Sequence, residues 1–151
     1  MPSIFPISFG SKEYQEECAL RHEVLRIPLR LSLYDEDLSR EKDQGHFGLF
    51  EDSGRLIACV IAVIHPPDTA RIRQMAVRTS HQGQGHGRAL VLWLETYLAS
   101  RNIVQLHLHA RISAVGFYEK SGYRRQGPEF FEVGLPHVRM EKRIVPNQDA
   151  V

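Results

Sequence analysis

The chain has 151 residues, 42% of them hydrophobic and 25% charged, with 19 Lys+Arg against 18 Asp+Glu for a net charge of +1. That length fits one domain able to bury about two-thirds of its unfolded surface without a disulfide or metal staple. The even charge balance argues against a nucleic-acid or membrane-surface protein, which would concentrate basic residues on one face. Cys18 and Cys59 form no CxxC pair, so a reduced, cytoplasmic setting is expected. The opening MPSIFPISFGSKEYQ has two prolines and no basic segment followed by an apolar one, unlike a signal peptide. The longest apolar run, Leu56–Ile64, is too short to span a bilayer.

In chain order, Ser3–Phe9 has strand-like composition, with Pro6 confining it to a sheet edge. Ser11 is placed to cap a helix whose apolar positions are Tyr14, Cys18, Leu20, Val24 and Leu25. Pro28 ends or kinks it, Leu29–Leu33 suggests a short second helix, and Asp35-Glu36-Asp37 makes an acidic loop. His46–Phe50 and Arg55–Ile64 read as a hairpin closed by Asp52-Ser53-Gly54. Pro66-Pro67 ends that strand, and Arg71–Val77 is the next one, with Ile72, Gln74 and Ala76 on one face. Past a glycine-rich stretch, Ala89, Leu90, Trp93, Leu94, Tyr97 and Leu98 mark an amphipathic helix. Ile103–His109 is a strand, Ser113–Ser121 a short helix, Gly122–Arg125 opens a strand, and Val138–Ile144 closes the domain. Helical crossovers together with hairpins indicate one α/β domain with a mixed sheet. The domain is expected to span 1–145, with a C-terminal tail at 146–151.

The stretch SHQGQGHGRAL, residues 80–90, places Gly83, Gly85 and Gly87 between a strand and a helix. Unpaired amides at a helix N-terminus favour an anion. No lysine follows the glycines as in a Walker loop, and Arg88 or Leu90 stands where the third glycine of a Rossmann fingerprint belongs. What remains is Gln82-x-x-Gly85-x-Gly87. On spacing alone, a flexible turn is as good a reading.

That loop resembles the pyrophosphate loop of the GNAT acetyltransferase superfamily. Met75-Ala76-Val77 is similar to the family's acyl-CoA-binding strand, and Ala114–Tyr123, AVGFYEKSGY, is similar to its FYEK-x-GF segment. Leu20–Leu25 resembles its first helix, and Glu129–Met140 resembles the ElaA-like branch. The resemblance implies a mixed, mostly antiparallel twisted sheet flanked by helices, and an N-acetyltransferase using acetyl-CoA. It further implies that amides of Gln82, Gly83, Gln84, Gly85, His86, Gly87 and Arg88 take the pyrophosphate, and that Met75–Val77 pairs with the pantetheine. An amide near Met75 or Ala76 would polarise the thioester carbonyl. The acceptor amine would attack directly, and Tyr118 would protonate the leaving thiolate.

The acceptor must lose a proton before it attacks, since a primary amine has a pKa near ~10. No carboxylate stands in Arg71-Ile72-Arg73-Gln74, so His107, His109, the Asp35–Asp37 loop or a water chain are the candidate bases. His107 and His109 lack a third ligand at zinc spacing, and no metal is expected. Arg111 replaces an asparagine that contacts the cofactor in many family members, His137 is a candidate lining residue, and Cys59 is expected to be an inert core residue. The expected partner is a small-molecule or peptide amine, with no nucleic acid or membrane; the resemblance admits a homodimer, which no residue fixes. Two other readings stay open: a non-catalytic acyl-CoA sensor or accessory module, and an unrelated phosphate or nucleotide binder.

Overall fold

The computed structural model describes residues 1–145; the tail expected at 146–151 lies outside the described residues. The strands and α-helices, in chain order, are β1 (Ser3–Ile7), α1 (Lys12–Arg21), β2 (Gly45–Phe50), β3 (Leu56–His65), β4 (Thr69–Val77), α2 (His86–Ala99), β5 (Gln105–Arg111), α3 (Val115–Lys120), β6 (Arg124–Glu132) and β7 (Leu135–Arg143). They form a seven-stranded sheet in the order β1-β2-β3-β4-β5-β7-β6. The β1–β2, β2–β3, β5–β7 and β6–β7 pairs are antiparallel, and β4–β5 is parallel. The mixed, mostly antiparallel sheet flanked by helices is therefore what the chain forms.

Local chemistry accounts for most element boundaries. Pro6 cannot donate to a ladder and sits in β1, a sheet edge, opposite Phe47. The Ser11 hydroxyl accepts the Tyr14 N–H and caps α1, an interaction worth about 1 kcal/mol. After Arg21 the chain widens into a π-turn over His22–Arg26, then tightens into a 3-10 turn at Ile27–Leu29. The helix expected over Leu29–Leu33 does not form. Arg30 leaves the right-handed region at φ 59, and the chain resumes only as a 3-10 turn at Leu33–Asp35. Strand β5 runs past its expected end at His109 because alternation continues to Arg111: Leu106, Leu108 and Ala110 are buried between half-exposed His107, His109 and Arg111.

The residues group into two compact units, Met1–Val63 with Gln74–Leu94, and Ile64–Arg73 with the chain from Glu95 onward. In the first, Tyr14, Cys18 and Leu20 of α1 pack with Leu33, Leu56 and Cys59. Every residue from Leu56 to Ala62 of β3 is buried, and each large aliphatic side chain contributes about 1.5–3 kcal/mol by leaving water. In the second, Leu106, Leu108, Tyr123, Val138 and Met140 are buried. No helix among the described residues is long and apolar enough to cross a membrane.

Candidate functional site

The glycine stretch begins where β4 ends. The Gln82 side-chain amide donates to the Val77 carbonyl at 3.0 Å, folding the loop back onto the strand. His81 Nε2 lies 2.7 Å from Glu51 Oε1 and anchors the preceding 3-10 turn, Thr79–His81. Gly83 and Gly85 have φ of 76° and 85°, backbone geometry that L side chains rarely adopt. A Cβ at either position would meet nothing within 4 Å, so the backbone conformation, not crowding within the protein, calls for glycine. The Gly85 carbonyl accepts the Ala89 N–H at 3.0 Å and starts α2. The first amides of a helix have no intrahelical acceptor, so those of His86, Gly87 and Arg88 open this one with the positive end of its dipole. Such an end suits an anion. Gly87 lies within the helix and is buried, whereas Arg88 is exposed.

In the strand before the loop, Ala76 is buried and Met75 and Val77 are half-buried. Gln74 lies in the left-handed region at φ 56. The parallel β4–β5 ladder runs from the Thr69–Gln105 pair to the Ile72–Leu108 pair.

Beneath Gln74, the same unit holds a charged cluster that the sequence reading did not anticipate. Arg21 is fully buried, and its Nε donates to Gln74 Oε1 at 3.0 Å. Its Nη1 donates to Glu17 and Glu41, both at 2.8 Å, and its Nη2 to Glu41 at 2.7 Å. Burial alone would lower the guanidinium pKa, but the bonds and charges of Glu41 and then Glu17 raise it. Tyr14 donates to Glu41 at 2.7 Å, and burial, reinforced by that bond, pushes its hydroxyl well up. His46 Nδ1 lies 3.0 Å from Glu17 and its Nε2 2.8 Å from the Glu41 carbonyl. Glu17, Glu41 and His46 each bring a potential metal-ligand atom within 4.8 Å of the others; the Arg21 guanidinium already bridges the two carboxylates. The Glu17–Arg21 spacing of four was visible in sequence as a helical pair, but nothing local connects it to Glu41 or His46.

Tyr118 belongs to the second unit. It is buried on α3, its ring edge-on to Phe117 at 5.0 Å and to Tyr123 at 5.6 Å. Tyr123 is fixed in turn, donating to Glu95 at 2.8 Å, while Lys142 donates to the other Glu95 oxygen at 2.8 Å. Burial pushes the Tyr118 hydroxyl above its ordinary value, so it stays protonated at neutral pH.

The candidate bases fare differently. His107 stacks on His65 with ring centroids 5.7 Å apart. Burial, then the charges of Arg139, His65, Arg71 and His109, push its pKa down to about 4, too low for an effective base at pH 7. His109 Nδ1 lies 2.8 Å from Glu132 Oε1 and 3.1 Å from Arg71 Nη2. In the acidic loop, Glu36 accepts from Arg26 at 2.7 Å and Asp37 from the Ser39 N–H at 3.0 Å, so both have structural partners. His137 is buried with Nδ1 2.9 Å from the Leu135 carbonyl, and Arg111 lies across from it in the β5–β7 ladder. Cys59 is fully buried, and burial pushes its thiol well up, which leaves it unreactive as expected.

Residues 29–144 match the family model described as the acetyltransferase (GNAT) domain. The uncharacterized protein YyaT of Bacillus subtilis is 34% identical over 79 residues, covering 52% of this chain and 53% of that protein. The chain spans about half the length of the curated relatives it matches. Among solved structures, a protein of Lactobacillus plantarum assigned as an N-acetyltransferase superposes with a TM-score of 0.85 at 23% identity, covering 95% of this chain and 99% of that one. Escherichia coli ElaA gives 0.79 at 17% identity, covering 94% and 99%. An aminoglycoside 6'-N-acetyltransferase complexed with coenzyme A gives 0.75 at 18% identity, covering 97% and 99%. At these identities the likeness is one of fold.

Proposed function

The chain belongs to the GNAT acetyltransferase family, and on that premise we propose that it transfers an acetyl group from acetyl-CoA to a primary amine. The observation that carries the reading is the Gln82–Arg88 turn, with two left-handed glycines feeding directly into the start of α2. Amides there take the pyrophosphate, while Met75, Ala76 and Val77 align the pantetheine. A related fold complexed with coenzyme A supports the cofactor class. The family assignment covers 29–144, and we take 1–145 as the acetyltransferase domain.

In the reaction, the neutral amine nitrogen bonds to the thioester carbonyl carbon and the carbonyl oxygen gains negative charge. The C–S bond then breaks and the Tyr118 hydroxyl proton passes to the thiolate. A backbone amide of β4 stabilises the oxygen at the point of greatest charge. The proton lost by the amine goes to solvent or to a base such as His109.

Calorimetric titration with acetyl-CoA, with ATP as the control, tests the binding half. Gly85→Asp is the sharpest variant, because that position is exposed, a Cβ there meets nothing within 4 Å, and aspartate is among the side chains that tolerate positive φ. It is expected to abolish acetyl-CoA binding while the circular dichroism spectrum stays native; retained binding would reduce the loop to a turn. Thiol release across an amine panel tests the chemistry. Tyr118→Phe is expected to lower turnover by about 100-fold with acetyl-CoA affinity unchanged. Tight binding without turnover on any amine would favour the sensor reading.

A further inference from the structure

The left-handed residue of β4 and the buried cluster of the first unit meet at one hydrogen bond, from Arg21 Nε to Gln74 Oε1. A non-glycine residue persists in that region only when its surroundings over-determine it, and Gln74 has such surroundings. Its side-chain oxygen is held by a guanidinium that Glu17 and Glu41 clamp from two directions. Its carbonyl accepts from Cys59 Sγ at 3.9 Å.

These contacts fix the direction of one peptide plane. The Gln74 carbonyl faces Cys59, on β3. Its peptide bond to Met75 is trans, since the cis bond among the described residues is Pro66–Pro67. In a trans peptide the N–H points opposite to the C=O, so the Met75 N–H points away from Cys59. Of the two amides that could polarise a thioester on β4, Met75's is thus the one shown to be turned away from β3.

We propose that Arg21, clamped between Glu17 and Glu41, is a positioning residue that holds the Gln74 bend and so aims the Met75 N–H at the thioester carbonyl of a bound acyl-CoA. The proposal rests on the acetyl-CoA reading above. Arg21 touches no substrate. It acts through Gln74 on the direction of a backbone donor, and misaiming such a donor costs rate without costing affinity.

The test needs no acceptor. The carbonyl stretch of [1-13C]acetyl-CoA falls in frequency when a hydrogen-bond donor polarises it, so infrared difference spectra read the Met75 contact directly. Gln74→Gly keeps the left-handed backbone accessible and removes the side-chain tether to Arg21. It is expected to bind acetyl-CoA as the unaltered protein does and to lose most of the downshift. Gln74→Glu keeps an oxygen facing Arg21 and is expected to restore the downshift. A full downshift in Gln74→Gly would overturn the proposal, as would loss of acetyl-CoA binding in that variant alone. Failure of the unaltered protein to bind acetyl-CoA would instead overturn the acetyl-CoA reading, and this inference with it.

Discussion

Two ionic networks in this molecule are built from the same residue types to opposite standards. In the first unit, Arg21, Glu17, Glu41, His46 and Tyr14 are all buried, and two carboxylates face one guanidinium and one imidazole. In the second, Arg71, His109 and Glu132 are only partly buried. The Arg71 Nε has no hydrogen-bond partner, and its Nη2 and Glu132 both approach the same His109 nitrogen. One imidazole nitrogen cannot donate to Glu132 and accept from Arg71 at once. A buried cluster must close every bond because no water can complete it. In the second network the bare Arg71 Nε is itself shielded from solvent, and burial together with the Arg73 and Arg139 charges pulls the Arg71 pKa down.

The contrast can be broken most forcefully at the two arginines. Arg21→Leu strands two buried carboxylates and is expected to cost about 3–5 kcal/mol, a large share of the stability of an ordinary domain. Arg71→Leu, which removes an imperfectly bonded group, is expected to stay within about 1 kcal/mol. Urea unfolding of both variants measures the difference, and equal losses would erase the distinction. Next comes Tyr14→Phe. It deletes one bond to a charged acceptor that keeps its Arg21 bonds, and it should cost about 1.5–3 kcal/mol by the same measurement.

The smallest effect separates the two units by sign. His46 has a raised pKa, because the bonds and charges of Glu17 and Glu41 outweigh the lowering effect of burial. Its contribution is fully present below the unfolded value near ~6.5 and is lost as pH rises through the folded value. His107 is held down to about 4, so the unfolded chain binds the extra proton, and stability falls as pH drops from about 6.5 toward 4. Unfolding midpoints from about pH 4 into the alkaline range should show His46→Gln losing the slope above ~6.5 and His107→Asn losing the slope below it. The same slope lost in both variants would contradict the assignment.

Much of the fold was legible because its signals are local. The Ser11 cap, edge Pro6, the Asp52-Ser53-Gly54 turn and the amphipathic spacing of α2 each act within a few residues. The glycine loop was legible for the same reason. The missed helix at Leu29–Leu33 shows the limit: an apolar run of that length cannot reveal that Arg30 will turn left-handed. The buried cluster was out of reach for a different reason. Glu41 lies 20 residues beyond Arg21, and His46 lies 29 beyond Glu17. A glutamate in the polar run Ser39-Arg40-Glu41-Lys42-Asp43 reads as solvated until the fold buries it. Strand alternation placed Gln74 on the face of Ile72 and Ala76, but gave no hint of its backbone bend.

Cys18 and Cys59 carry one more consequence. They are the two cysteines of the chain, both are buried in the first unit, and burial pushes both thiols up. An alkylating reagent needs access and a thiolate, so modification must wait for that unit to open. The chain therefore carries a built-in clock. Labelling rates read by mass spectrometry would time the opening of the first unit, with no engineered probe and no signal from the second.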